Sequence, residues 1–123
     1  MAGLRRVLLV SDDLMFQSQL SAAVRSGGGT LDTARRELAL ENAPGADAVF
    51  VDLNTETADR LGVIAELRER DPRQTIVAFC HHGEDETRRA AMRVGASSCV
   101  TNGGLQAVAL RLAGVAAPLG PQG

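Results

Sequence analysis

The chain is 123 residues long with a formal net charge of -2, 45% apolar and 23% charged residues. These are the proportions of one ordinary globular domain, and they exclude a disordered or fibrous chain and argue against a broad nucleic-acid footprint. Aromatic residues are 2%, three Phe without Tyr or Trp, and all 13 basic residues are Arg, so base-stacking platforms, aromatic membrane belts and every mechanism that needs a lysine are excluded.

In chain order, Val7 to Val10 is a short apolar run, the mark of a strand buried on both faces, and it stops at Ser11-Asp12-Asp13. Leu14 to Arg25 follows as a helix, with Leu14, Phe16, Leu20, Ala23 and Val24 along its apolar stripe and Gly27-Gly28-Gly29 as its stop. Thr30 to Ala34 reads as a polar edge strand and Arg35 to Asn42 as a short helix ended by Pro44-Gly45. Ala46 to Leu53 carries the apolar run Ala48-Val49-Phe50-Val51 into Asp52, a second strand ending in a carboxylate. Thr57 to Arg70 is a helix with Leu61, Ile64, Ala65 and Leu67 expected inward, closed by Asp71-Pro72. A strand over Thr75 to Cys80, an Arg-rich helix over Glu84 to Val94, a strand over Ser97 to Thr101 and a helix over Leu105 to Val115 complete the chain. Residues 1–117 are expected to form one domain and residues 118–123 a flexible tail.

Short apolar strands alternating with amphipathic helices predict an α/β fold, (βα)₅, with a doubly wound parallel sheet whose ligands bind at the carboxyl ends of its strands. If the first and third strands are neighbours, Asp12, Asp13 and Asp52 converge at one corner, an oxygen-rich site suited to Mg²⁺. Like charges ~4 Å apart repel by ~4 kcal/mol at an effective dielectric of 20, so such a cluster needs a cation or hydrogen bonds to persist. The alternative is that Asp13 caps the first helix and Asp52 accepts loop N–H groups.

Val10-Ser11-Asp12-Asp13, Val51-Asp52-Leu53-Asn54 and Val94 to Asn102 resemble the signatures of bacterial response-regulator receiver domains, a likeness spanning about Arg5 to Val115. The resemblance implies a flavodoxin-like receiver fold with strand order 2-1-3-4-5. It also implies Asp52 as phospho-acceptor and Asp12, Asp52 and the Asn54 backbone carbonyl as ligands of a weakly held Mg²⁺, with Asp13 as a nearby acid. The departures from the pattern are specific. Ser11 replaces the first acidic residue, Cys80 a Thr or Ser, Cys99 the switch aromatic, Asn102 the Lys that neutralises the phosphoryl group, and Gly103 a Pro. Glu56 and Arg60 stand where Pro and Gly are usual. The chain therefore resembles an atypical or pseudo-receiver: a non-enzymatic signalling module acting through protein–protein contact, with phosphorylation absent or feeble. The alternative is a phosphorylation-competent receiver served by a histidine kinase.

The helix carrying Arg88, Arg89 and Arg93, with the last helix, is the surface that resembling proteins use for dimers, so self-association or a protein partner is expected there. Zinc at Cys80-His81-His82 is disfavoured, because adjacent residues in an extended segment point in opposite directions and no second ligand pair exists. Cys80 and Cys99 read as buried thiols of a reducing compartment. A small cofactor-binding domain is disfavoured by the lack of a glycine-rich phosphate loop after the first strand. With no apolar run near the ~18 residues of a membrane span and no signal-peptide core, a cytoplasmic location without membrane contact is expected.

Overall fold

The computed structural model describes residues 5–34 and 36–112. Among the described residues five strands and five α-helices alternate: β1 (Arg6–Val10), α1 (Leu14–Ser26), β2 (Thr30–Ala34), α2 (Arg36–Asn42), β3 (Ala48–Asp52), α3 (Thr57–Arg70), β4 (Ile76–Cys80), α4 (Asp85–Val94), β5 (Ser98–Thr101) and α5 (Leu105–Leu112). The expected tail from Pro118 and the expected extension of the final helix over residues 113–115 lie outside the described residues.

The strands form one sheet in the order β2-β1-β3-β4-β5, every adjacent pair parallel. β3 and β4 are buried at every position, as continuous apolar runs covered on both faces require. The two-residue period divides their side chains. Val7, Leu9, Phe50, Val77 and Phe79 pack under α1 and α5 with Leu20, Val24 and Leu105, while Leu8, Val10, Val49, Val51, Ile76 and Ala78 pack under α2, α3 and α4 with Ile64, Leu67 and Ala91. Phe16 meets Phe79 edge to face, ring centroids 4.9 Å apart.

Two helix faces differ from the expected stripes. Leu14, the first residue of α1, is 76% exposed, and the core-facing side of the helix runs through half-buried Phe16 to buried Leu20, Ala23 and Val24. In α3 the inward residues are Arg60, Val63, Ile64 and Leu67, whereas Ala65 is exposed and Leu61 half-buried. The helix is rotated toward the row 60, 63/64, 67, a helical i, i+3/i+4, i+7 stripe that an apolar count passes over because its first member is an arginine.

Away from the strand ends, Arg68 ties α3 to the turn before β5. It donates through Nε to Gly95 O at 2.9 Å and through its Nη atoms to Pro72 O at 2.9 Å and Ser97 Oγ at 3.2 Å. Gly95 has φ 120°, and a Cβ there would lie 2.7 Å from Arg68 Cγ, so both the backbone and the neighbour require glycine.

Candidate functional site

The parallel register ends β1, β3, β4 and β5 at one level, with Val10 opposite Val51, Asp52 opposite Phe79 and Cys80 opposite Thr101. The residues just after these ends therefore share one edge of the sheet, and Asp52 lies at its centre, 2% exposed.

Every oxygen of the Asp52 carboxylate is engaged. Oδ1 accepts the Asn54 backbone N–H and the Asn54 side-chain amide, both at 2.8 Å. Oδ2 accepts the Ser11 hydroxyl at 2.7 Å, and Ser11 Oγ in turn accepts the Asp13 N–H at 3.0 Å. Ser11, at the position where the resemblance implies an acid, thus relays a backbone dipole onto Asp52 instead of adding a second charge.

Arg60 enters the same pocket from the first turn of α3. Its side chain is 1% exposed, with Nη1 3.1 Å from the Asp52 carbonyl and 3.7 Å from Asp52 Oδ2, and Nη2 3.4 Å from Asp12 Oδ2. At 3.7 Å and an effective dielectric of 20 the attraction to Asp52 is about 4 kcal/mol, set against the cost of desolvating both groups. Arg60 Nε is buried without a hydrogen-bond partner. The guanidinium is drawn inward although one of its donors goes unsatisfied, so the gain lies in facing the two carboxylates.

Of the residues expected at this corner, Asp12, Asp52 and Asn54 are brought together and Asp13 is not. Asp13 caps α1, its Oδ1 accepting from Met15 N at 2.8 Å and Phe16 N at 3.3 Å. Asn102 reaches the pocket rim, where its side-chain amide and that of Asn54 exchange two hydrogen bonds at 3.0 Å. Cys80 is buried at the end of β4 and Cys99 lies beside it on β5. Burial and then the neighbouring Cys80 sulfur push the Cys99 thiol up to about 12, against the Arg88 guanidinium, which lowers it. Arg88 is half-buried and turned toward this pair, while Arg89 and Arg93 are exposed. The His81 and His82 rings lie 4.7 Å apart, both exposed.

The resemblance seen in the sequence implies Mg²⁺ at this corner, and the residues present do not fit that ion. Mg²⁺ demands near-octahedral oxygen ligands at about 2.0–2.1 Å, but the Asp52 oxygens are taken by O–H and N–H donors and a guanidinium lies against both Asp12 and Asp52. Among the described residues no group of three His, Cys, Asp or Glu side chains could hold a metal ion.

The residue that sequence reasoning missed as part of the site is Arg60. Its signal was its spacing, eight residues after Asp52 and in helical register with Ile64 and Leu67.

No family model matches the chain. Over 97 residues, 76% of this chain and 52% of the relative, it is 37% identical to the photosynthetic apparatus regulatory protein RegA of Cereibacter sphaeroides. The chain spans about half the length of the curated relatives it matches. Among solved structures, the receiver domain of the TMAO respiratory system response regulator TorR superposes with a TM-score of 0.76 at 22% identity, covering 87% of this chain and 92% of that one. The beryllofluoride-activated NtrC4 receiver domain dimer gives 0.66 at 25% identity, covering 79% and 83%. No helix among the described residues is long and apolar enough to cross a membrane.

Proposed function

Because this chain is a response-regulator receiver domain, we propose that it serves as a signalling module through protein–protein contact, with phosphorylation at Asp52 absent or feeble and no enzymatic turnover of its own. One observation carries this reading: the Asp52 carboxylate is held by Ser11, Asn54 and Arg60, with no hydroxyl at Cys80 and no cation at Asn102 to receive a phosphoryl group. A phosphoryl group adds about -1.5 to -2 charges. A charge-assisted hydrogen bond is worth about 1.5–3 kcal/mol, so losing the lysine alone reduces a switching equilibrium roughly ten- to a hundredfold. Intact-mass analysis after incubation with a small phosphodonor and Mg²⁺ is expected to show little or no adduct in the wild type. Partial recovery is expected in Asn102→Lys combined with Cys80→Thr.

The partner surface of this reading is α4 with α5, where Arg89 and Arg93 are exposed. The NtrC4 receiver is described as a dimer, and a second copy of this chain or a partner protein is proposed here, with charge at the rim setting orientation. Sedimentation of wild type and Arg89→Glu tests it: concentration-dependent association weakened by the substitution is expected, and a strict monomer in both would remove the dimer.

A second reading has one observation in its favour: an aspartate stands at the end of β3, at the centre of the strand-end edge. It makes the chain a phosphorylation-competent receiver served by a histidine kinase. Ready formation of a phosphoryl adduct on wild-type Asp52 would put it in place of the first.

A further inference from the structure

A cation already lies in the Asp12/Asp52 pocket, and it is covalently part of the chain. Arg60 is 1% exposed, faces the Asp52 carbonyl, the Asp52 carboxylate and the Asp12 carboxylate at 3.1, 3.7 and 3.4 Å, and leaves its own Nε buried without a partner. We propose that Arg60 is the resident counter-ion of this pocket, a positioning residue that takes from within the chain the place of a divalent cation and makes the site metal-independent. The inference rests on the reading of Asp12 and Asp52 as the pair that would otherwise hold Mg²⁺, and it does not depend on whether Asp52 is ever phosphorylated.

Three features support it. A guanidinium stays charged at any physiological pH, so a divalent ion cannot enter beside it without displacing it. The seat is the first turn of α3, where Arg60 N donates to Glu56 O at 3.0 Å, so the side chain is anchored by helix formation rather than by a mobile loop. Ser11 supplies a neutral hydroxyl, so among the described residues the Arg60 guanidinium offsets one of the two carboxylate charges of Asp12 and Asp52, and a divalent ion entering beside it would leave the three groups with a net positive charge.

The test uses Mn²⁺ alone as the probe, read by loss of the free-ion electron paramagnetic resonance signal and by paramagnetic broadening of backbone amides. In the wild type, no saturable binding and no selective broadening at Asp12, Asp52 and Asn54 are expected. Arg60→Ala should gain saturable binding and selective broadening at those amides, at Mn²⁺ concentrations roughly tenfold or more below the highest at which the wild type stays silent. Arg60→Gln, which keeps a donor for the Asp52 carbonyl and places less demand on the fold, should gain it as well. A wild type that broadens at these amides as strongly as the variants overturns the proposal, and so do folded variants that stay silent. Failure here leaves the intact-mass result untouched, while a phosphoryl adduct without metal dependence would end the first functional reading and leave Arg60 as the counter-ion.

Discussion

At the scale of single residues, charge compensation at Asp52 decides what the pocket can do. Removing one member of a buried pair leaves the other unpaired, which costs more than the pair contributes. Arg60→Ala is therefore expected to destabilise the fold by about 3 kcal/mol, and Asp52→Asn to lower stability as well, since it strands the guanidinium. Urea midpoints of the two variants check both. Glu56 stands in the left-handed region at φ 50° and ψ 42° without a side-chain cap, and Glu56→Gly should raise stability by about 1 kcal/mol by relieving it. The placement of Asp12, Asp52 and Asn54 at one corner was legible in the sequence because residues that end apolar strands must share an edge of a parallel sheet. Arg60 was not, because a charge inside an amphipathic stripe is read as solvent-facing until its partners are placed by the fold. Asp13 illustrates the converse: beside Asp12 in the chain, it is turned away because the first free N–H groups of α1 claim its oxygen.

At the scale of elements, the fold was legible almost throughout. β3, β4 and α3 carry unbroken apolar runs or a full helical stripe between clear stops, and their observed bounds agree with the expected ones to within two residues at each end. Helix rotation was less legible, since α3 turns about one residue from its apolar face to bury Arg60, and Leu14 is left outside the α1 stripe. Capping gives one expectation: Asp13→Ala should cost about 1 kcal/mol and fray the first turn of α1, seen as faster amide exchange at Met15 and Phe16. The Arg68 staple gives another. With φ 120° and a Cβ position 2.7 Å from Arg68 Cγ, Gly95→Ala is expected to be among the more damaging small substitutions, about 2 kcal/mol or more by thermal unfolding.

At the scale of the whole molecule, stability should depend on pH through Asp47, at the end of the sheet opposite the pocket, and through Cys99, beside Cys80 on β5. Backbone N–H bonds from Arg6 and Arg5 hold the Asp47 carboxyl below its ordinary 3.8. A lowered carboxylate stabilises above its unfolded value and loses that contribution as pH falls through the folded one. The Cys99 thiol, raised from 9.0 to about 12, does the opposite: its contribution is full below the unfolded value and is lost as pH rises across that window. Thermal melts should thus fall between pH 9.0 and 12, and Cys99→Ala should flatten that limb. The central claim, that Asp52 is neutralised from within and does not switch, is tested most directly by amide spectra of the wild type with Mg²⁺ and beryllofluoride. Unchanged shifts at Asp52, Asn54, Cys99 and Asn102 are expected, and a saturable shift at Asp52 that spreads to Cys99 on β5 would contradict it.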